Sequence, residues 1–128
     1  MYFKFNSYII KLNMISVWIL ERLCTFIMAV KVKIDNNILT VYFIGDIDHH
    51  SAKEMREVTD FNIDSYNPKI LILDFKDVQF MDTSGIGLVM GRYKIMLSIG
   101  GQVKIKNLSP YVKRIMNLAG LNKLVHIE

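Results

Sequence analysis

With 128 residues and a formal charge of +4, the chain is long enough for one hydrophobic core and too short for two, which excludes a multidomain enzyme. Half of the basic excess lies in residues 1–28, and the cations after Ser84 are scattered, without the dense clusters and interleaved aromatics of a nucleic-acid reader, so no direct nucleic-acid partner is expected. Cys24 is the single cysteine, which excludes an intrachain disulfide and a cysteine-based metal site and fits a reducing, cytoplasmic setting.

Residues 1–28 are apolar, but the longest uncharged run after Lys11 is Leu12 to Leu20, broken by Glu21 and Arg22. A spanning helix needs about 20 apolar residues. A signal peptide's small-residue cleavage pattern is missing where Cys24, Thr25 and Phe26 stand. The expectation is an extension outside the fold, with translation starting at Met28 and no membrane involved; an interfacial amphipathic helix is the sharper alternative. From Ala29 the pattern becomes orderly. "VKVKID" alternates, Asn36 and Asn37 suit a tight turn, and "ILTVYFIGDID" resumes as a more buried strand, which predicts a hairpin. Residues 49–66 carry Ala52, Met55, Val58 and Phe61 at helical spacing and end before Asn67 and Pro68. "KILILDF" reads as a central strand, and a helix follows over the region Phe80 to Leu97. After Gly100 and Gly101, "QVKIKNL" alternates as a strand, "SPYVKRIMNLAG" opens a helix with a serine cap and proline at the first position, and "KLVHIE" closes as a short strand. The predicted fold is α/β, a mixed sheet with helices packed against it in the order β-β-α-β-α-β-α-β.

The chemistry concentrates in "FMDTSGIGLVMGRYK", residues 80–94. As a phosphate-cradling loop it fails, because nine residues separate Phe75 from Gly85 and no lysine follows the glycines at the spacing a P-loop requires. As a hydrolase it lacks the G-x-S-x-G elbow, and its only histidines are His49, His50 and His126, of which the adjacent pair at a helix start reads as solvated capping residues. Asp46, Asp48, His49 and His50 offer metal donors, but consecutive positions rarely converge on one ion, so no metal is expected. The third possibility is a serine that is itself modified. Advancing about 100° per residue, Ile86, Val89, Met90, Tyr93, Met96 and Leu97 form the expected core stripe. Ser84, Leu88, Gly91 and Ile95 form the expected exposed one, read as a partner surface. Gly85 and Gly87 are expected to keep the ground around the hydroxyl open. The bland alternative is that Asp82, Thr83 or Ser84 simply caps the helix. A phosphate on Ser84 adds about −1.5 to −2 charge, and no Lys or Arg between Lys76 and Arg92 is at hand to neutralise it.

Three blocks in order, "GDIDHHSA", "FMDTSGIGLVMGRYK" and "SPYVKRIMNLAGLNKLV", make residues 29–128 resemble a STAS domain, in particular those of the anti-sigma factor antagonists. The family motif D-[ST]-S-G-[ILV]-G places its phosphoacceptor serine on Ser84, with Thr83 at the neighbouring hydroxyl position, and its partner-facing loop on Asp46 through His50. With the helix stripe, the expected partner surface comprises Asp46, Asp48, His49, His50, Asp82, Thr83, Gly85, Gly87, Leu88, Gly91, Arg92 and Ile95. The resemblance implies a module without catalytic activity or cofactor. It would bind an anti-sigma factor that is a serine kinase, release a sporulation sigma factor, be switched off by phosphorylation of Ser84, and be restored by a serine phosphatase. The alternatives are an antagonist in a stress-response pathway, a STAS module that binds nucleotide itself, and a hydrolase using Ser84.

Overall fold

The computed structural model describes residues 29–128 and, ahead of them, two short strands, β1 (Tyr2–Phe5) and β2 (Tyr8–Lys11). Cys24 and the expected start at Met28 lie outside the described residues. The remaining strands are β3 (Val30–Asp35), β4 (Ile38–Ile44), β5 (Ile70–Asp77), β6 (Gln102–Lys106) and β7 (His126–Ile127). Three helices join them: α1 (His49–Tyr66), α2 (Thr83–Ser98) and α3 (Pro110–Leu118). From residue 29 on, the order is the expected β-β-α-β-α-β-α-β.

The sheet runs β2-β1-β3-β4-β5-β6-β7. β3 and β4 are antiparallel across the Asn36–Asn37 turn, where both residues have positive φ, the conformation that asparagine tolerates and a two-residue hairpin requires. β4, β5, β6 and β7 are mutually parallel, and each crossover between them carries a helix. β1 joins the open edge of β3 through the pair Tyr2↔Val32.

The core lies between sheet and helices. Leu39, Val41 and Phe43 alternate inward along β4, and Leu71, Leu73 and Phe75 do so along β5, with the Phe43 and Phe75 rings edge to face at 5.3 Å. α1 buries Ala52, Met55 and Val58 as its spacing predicts, but Phe61 is half exposed and the buried face continues through Thr59, Asn62 and Ile63. The reason is helical drift: nine residues at about 100° each carry Phe61 about 180° round from Ala52. Thr59 Oγ1 and Asn62 Nδ2 donate to the carbonyls of Met55 and Val58 at 2.6 and 2.8 Å, which lets polar side chains stay inside.

α2 is turned relative to its expected orientation. Its buried residues are Gly85, Leu88, Val89, Arg92 and Met96, whereas Leu97, expected in the core, is 60% exposed. The buried arc is centred about 90° from the expected one. Arg92 occupies it because Asp60 on α1 lies 2.7 Å from its Nε, so a buried guanidinium finds a carboxylate across the helix pair.

Candidate functional site

The loop from β4 to α1 and the loop from β5 to α2 run side by side past the carboxyl ends of the strands. A parallel bridge joins Ile47 to Met81, Ile47 N donates to the Phe80 carbonyl at 3.0 Å, and Asp82 N donates to the Ile47 carbonyl at 3.1 Å. Both α1 and α2 therefore begin at the same edge, where open parallel sheets present their sites.

Each helix starts on an aspartate. Asp48 caps α1, accepting from the backbone N–H groups of His50 at 2.8 Å and Ser51 at 2.9 Å, while Ser51 Oγ accepts from Asp48 N at 2.9 Å and donates to the Asp46 carbonyl at 2.8 Å. This capping box holds the Asp48 carboxyl below its ordinary range, first through the Ser51 N–H. Asp82 caps α2 and accepts from Ser84 N at 2.7 Å. Capping at Asp82 and modification at Ser84 are thus compatible, because the cap uses the backbone of Ser84 and leaves its hydroxyl.

Ser84 is half-buried and lines an open depression of about 440 Å³ together with Gly87 and Leu88 of α2 and His49, His50, Ala52, Lys53 and Arg56 of α1. Of the expected partner residues, Asp46, Asp48, His49, His50, Thr83 and Gly87 are exposed, and Asp82, Gly91 and Ile95 are partly so. Three are not. Leu88 is 3% exposed and forms the floor of the depression, so its assignment to an open stripe is corrected. Arg92 is buried against Asp60, and burial pulls the guanidinium below its ordinary value while also raising the Asp60 carboxyl. Gly85 is buried under Met81, whose side chain would collide with any added Cβ; it serves close packing and not an open approach to Ser84. Gly87 alone of the two glycines has open space where a Cβ would stand.

Lys53 and Arg56 escaped the sequence reading. Their signal was present, since His49, Lys53 and Arg56 follow the i, i+4, i+7 spacing of one helix face. The expectation that a phosphate on Ser84 would have no cation near it is corrected by their place in the lining. A stacked pair, Phe80 with Tyr111 at 5.9 Å, both about half exposed, also stands at this edge. No hydrogen bond joins Ser84 to either imidazole among the described residues, so the hydrolase alternative lacks an oriented base. Among the described residues no three metal-ligating side chains converge, and no helix is long and apolar enough to cross a membrane.

A fold with two parallel-strand crossovers meeting at a hydroxyl-bearing helix start belongs to a known class: residues 29–128 match the STAS domain, and the chain is a member of that family. It is similar to the anti-sigma F factor antagonist of Paenibacillus polymyxa, 31% identical over 100 residues that cover 78% of this chain and 86% of that protein. It is 32% identical over 103 residues to the anti-sigma-B factor antagonist of Bacillus subtilis strain 168, covering 77% and 89%. Its fold matches the unphosphorylated form of the anti-sigma factor antagonist SpoIIAA with a TM-score of 0.69 at 26% identity over 78% of this chain and 88% of that one. The phosphorylated form of Bacillus SpoIIAA matches with a TM-score of 0.63 at 25% identity over 78% and 91%.

Proposed function

We propose that this protein is an anti-sigma factor antagonist whose unmodified form binds an anti-sigma factor that is a serine kinase, freeing a sporulation sigma factor, and that phosphorylation of Ser84 switches it off. The observation that carries this reading is the placement of Ser84, an accessible hydroxyl one residue into α2, against the Asp46–His50 loop through the Ile47–Met81 bridge. In the transfer the Ser84 oxygen bonds to the γ-phosphorus of ATP, the bond to the bridging oxygen breaks, ADP leaves, and the hydroxyl proton passes to the kinase. A serine phosphatase returns the hydroxyl by adding water. The docking face comprises the exposed rim: Asp46, Asp48, His49, His50, Asp82, Thr83 and Gly87, flanked by Gly91 and Ile95. Leu88 contributes only through the depression floor. The protein itself acts as substrate and ligand, not as catalyst, and works in the cytoplasm without a cofactor.

A stress-response sigma factor is the second reading, favoured by the 32% identity to an anti-sigma-B antagonist. The deciding experiment mixes the purified protein with candidate anti-sigma kinases of both classes and ATP. The expected result is a complex with one of them, phosphate on Ser84, and loss of the complex once it is modified, whereas Ser84→Ala stays bound and unmodified. Hydrolysis of ATP, GTP or an ester by the protein alone, abolished by Ser84→Ala, would overturn the reading.

A further inference from the structure

We propose that Lys53 and Arg56 of α1 form a cradle in cis for the phosphate carried by Ser84, so that the modified chain holds its own phosphate in the depression between α1 and α2. The proposal rests on Ser84 as a phosphoacceptor and adds what receives the group once it is there.

The start of α2 does not supply the site by itself. Its Ser84 N–H is occupied by the Asp82 carboxylate at 2.7 Å, and the Gly85 N–H donates to the Asp82 carbonyl at 3.1 Å. That carboxylate also repels a dianion, as do those of Asp46 and Asp48 on the adjoining loop. The favourable charge must come from elsewhere, and the lining supplies it: Lys53 and Arg56, both exposed, face the same depression as Ser84 and Gly87. Neither forms an ion pair among the described residues. Asp60, four residues after Arg56 on the same helix, feels the charge of Arg56 but makes its close contact, 2.7 Å, with Arg92. The open space at Gly87 leaves room for the three phosphate oxygens. An ammonium and a forked guanidinium are the groups that bind a phosphate monoester through charge-assisted hydrogen bonds. The phosphate would then occupy the Ser84 side of the depression and offset its basic rim, removing both space and charge from an acidic group of a partner.

The test installs phosphoserine at position 84 during translation, which needs no kinase or partner and so fails or succeeds independently of the functional reading. Phosphorus NMR then follows the phosphate through its second ionisation in the wild-type background, in Lys53→Gln/Arg56→Gln, in Arg56→Lys, and in Lys69→Gln as a cation change at the far end of the sheet. The expected result is a phosphate pKa lower in the parent than in the double variant by about 0.5 to 1. Arg56→Lys should retain most of that difference and Lys69→Gln all of it. His49 and His50 line the same depression, but they are common to every variant and cancel in the comparison. An unchanged pKa in the double variant, or an equal change from Lys69→Gln, overturns the cradle. Saturable binding of inorganic phosphate to the unmodified protein, removed by the double substitution while the phosphoserine pKa stays fixed, would assign the depression to a free phosphate and overturn it as well.

Discussion

Two depressions of about 440 Å³ lie at opposite ends of the sheet, and what separates them is the direction in which the chain leaves each one. At the amino ends of β5 and β6 the lining is Asn67, Pro68, Lys69, Ile70, Ile99, Gly100 and Gln102. There the backbone is closed on itself. Lys69 N and Ile70 N both donate to the Asn37 carbonyl, Gln102 N donates to the Lys69 carbonyl, and Asn37, Asn67 and Gly100 adopt the positive φ that such turns need. At the carboxyl ends two helices begin, and side chains from both converge on Ser84. Equal volume thus goes with unequal chemistry: helix starts gather charged and hydroxyl groups, whereas strand starts fed by tight turns use their polar groups internally.

The comparison predicts a ranking of effects. Within α2, Leu88→Ala should lower stability by about 2 to 4 kcal/mol and Leu97→Ala by less than about 0.5 kcal/mol, measured by urea denaturation. An exchange of these values would mean that the helix is not rotated as described. A negative charge at the two depressions should separate them in binding. Ser84→Asp should weaken the proposed anti-sigma complex by roughly 30-fold or more in calorimetry, because docking would desolvate a carboxylate standing where the partner seats. Gln102→Asp should leave affinity unchanged, and neither should shift the melting temperature much.

The buried ion pair between α1 and α2 comes next. Asp60→Asn should cost about 1 to 2 kcal/mol, less than a fully buried pair because the Asp60 side chain is 36% exposed. Adding Arg92→Met should recover most of the loss, and failure to recover would show that the guanidinium packs for reasons other than its charge partner. Acid should act at the helix starts. The Asp48 carboxyl is held below its ordinary 3.8 in the folded chain, so its contribution is present above that pH and fades as the pH falls through the folded value. Asp48→Asn should flatten that limb of the melting curve against pH; an unchanged limb would remove Asp48 from the account. The smallest expected effect is that of deleting residues 1–28, proposed to lie outside the working domain although β1 meets the edge of β3 through the pair Tyr2↔Val32. Melting temperature and partner affinity should stay within error, while a marked loss, or sedimentation of the full chain with membranes, would favour an anchoring role.

Local signals made the element order legible. The Asn36–Asn37 turn, the Ser109–Pro110 helix start and the Asp82 cap each depend on residues next to one another, and each stands where the pattern put it. The hydroxyl-bearing block likewise falls on a helix start. What could not be read depends on contacts between distant residues. Arg92 enters the core only because Asp60, on another helix, meets it, and no periodicity of α2 encodes that. Gly85 looked like open ground because, although Met81 stands only four residues earlier, its path over the glycine is set by the bridge to Ile47 on another loop. Lys53 and Arg56 showed their common face in the sequence, but not that the face turns toward Ser84.

The bridge between Ile47 and Met81 bears on timing. Since two backbone bonds lock the loops together before any partner arrives, the rim needs little ordering at encounter, and association should proceed at the roughly 10⁵ to 10⁷ M⁻¹s⁻¹ typical of preformed surfaces. The lifetime of the complex then rests on dissociation alone. On the proposed function, a kinase holding this protein would have to complete phosphoryl transfer within that residence time, which would make the switch a race between chemistry and release.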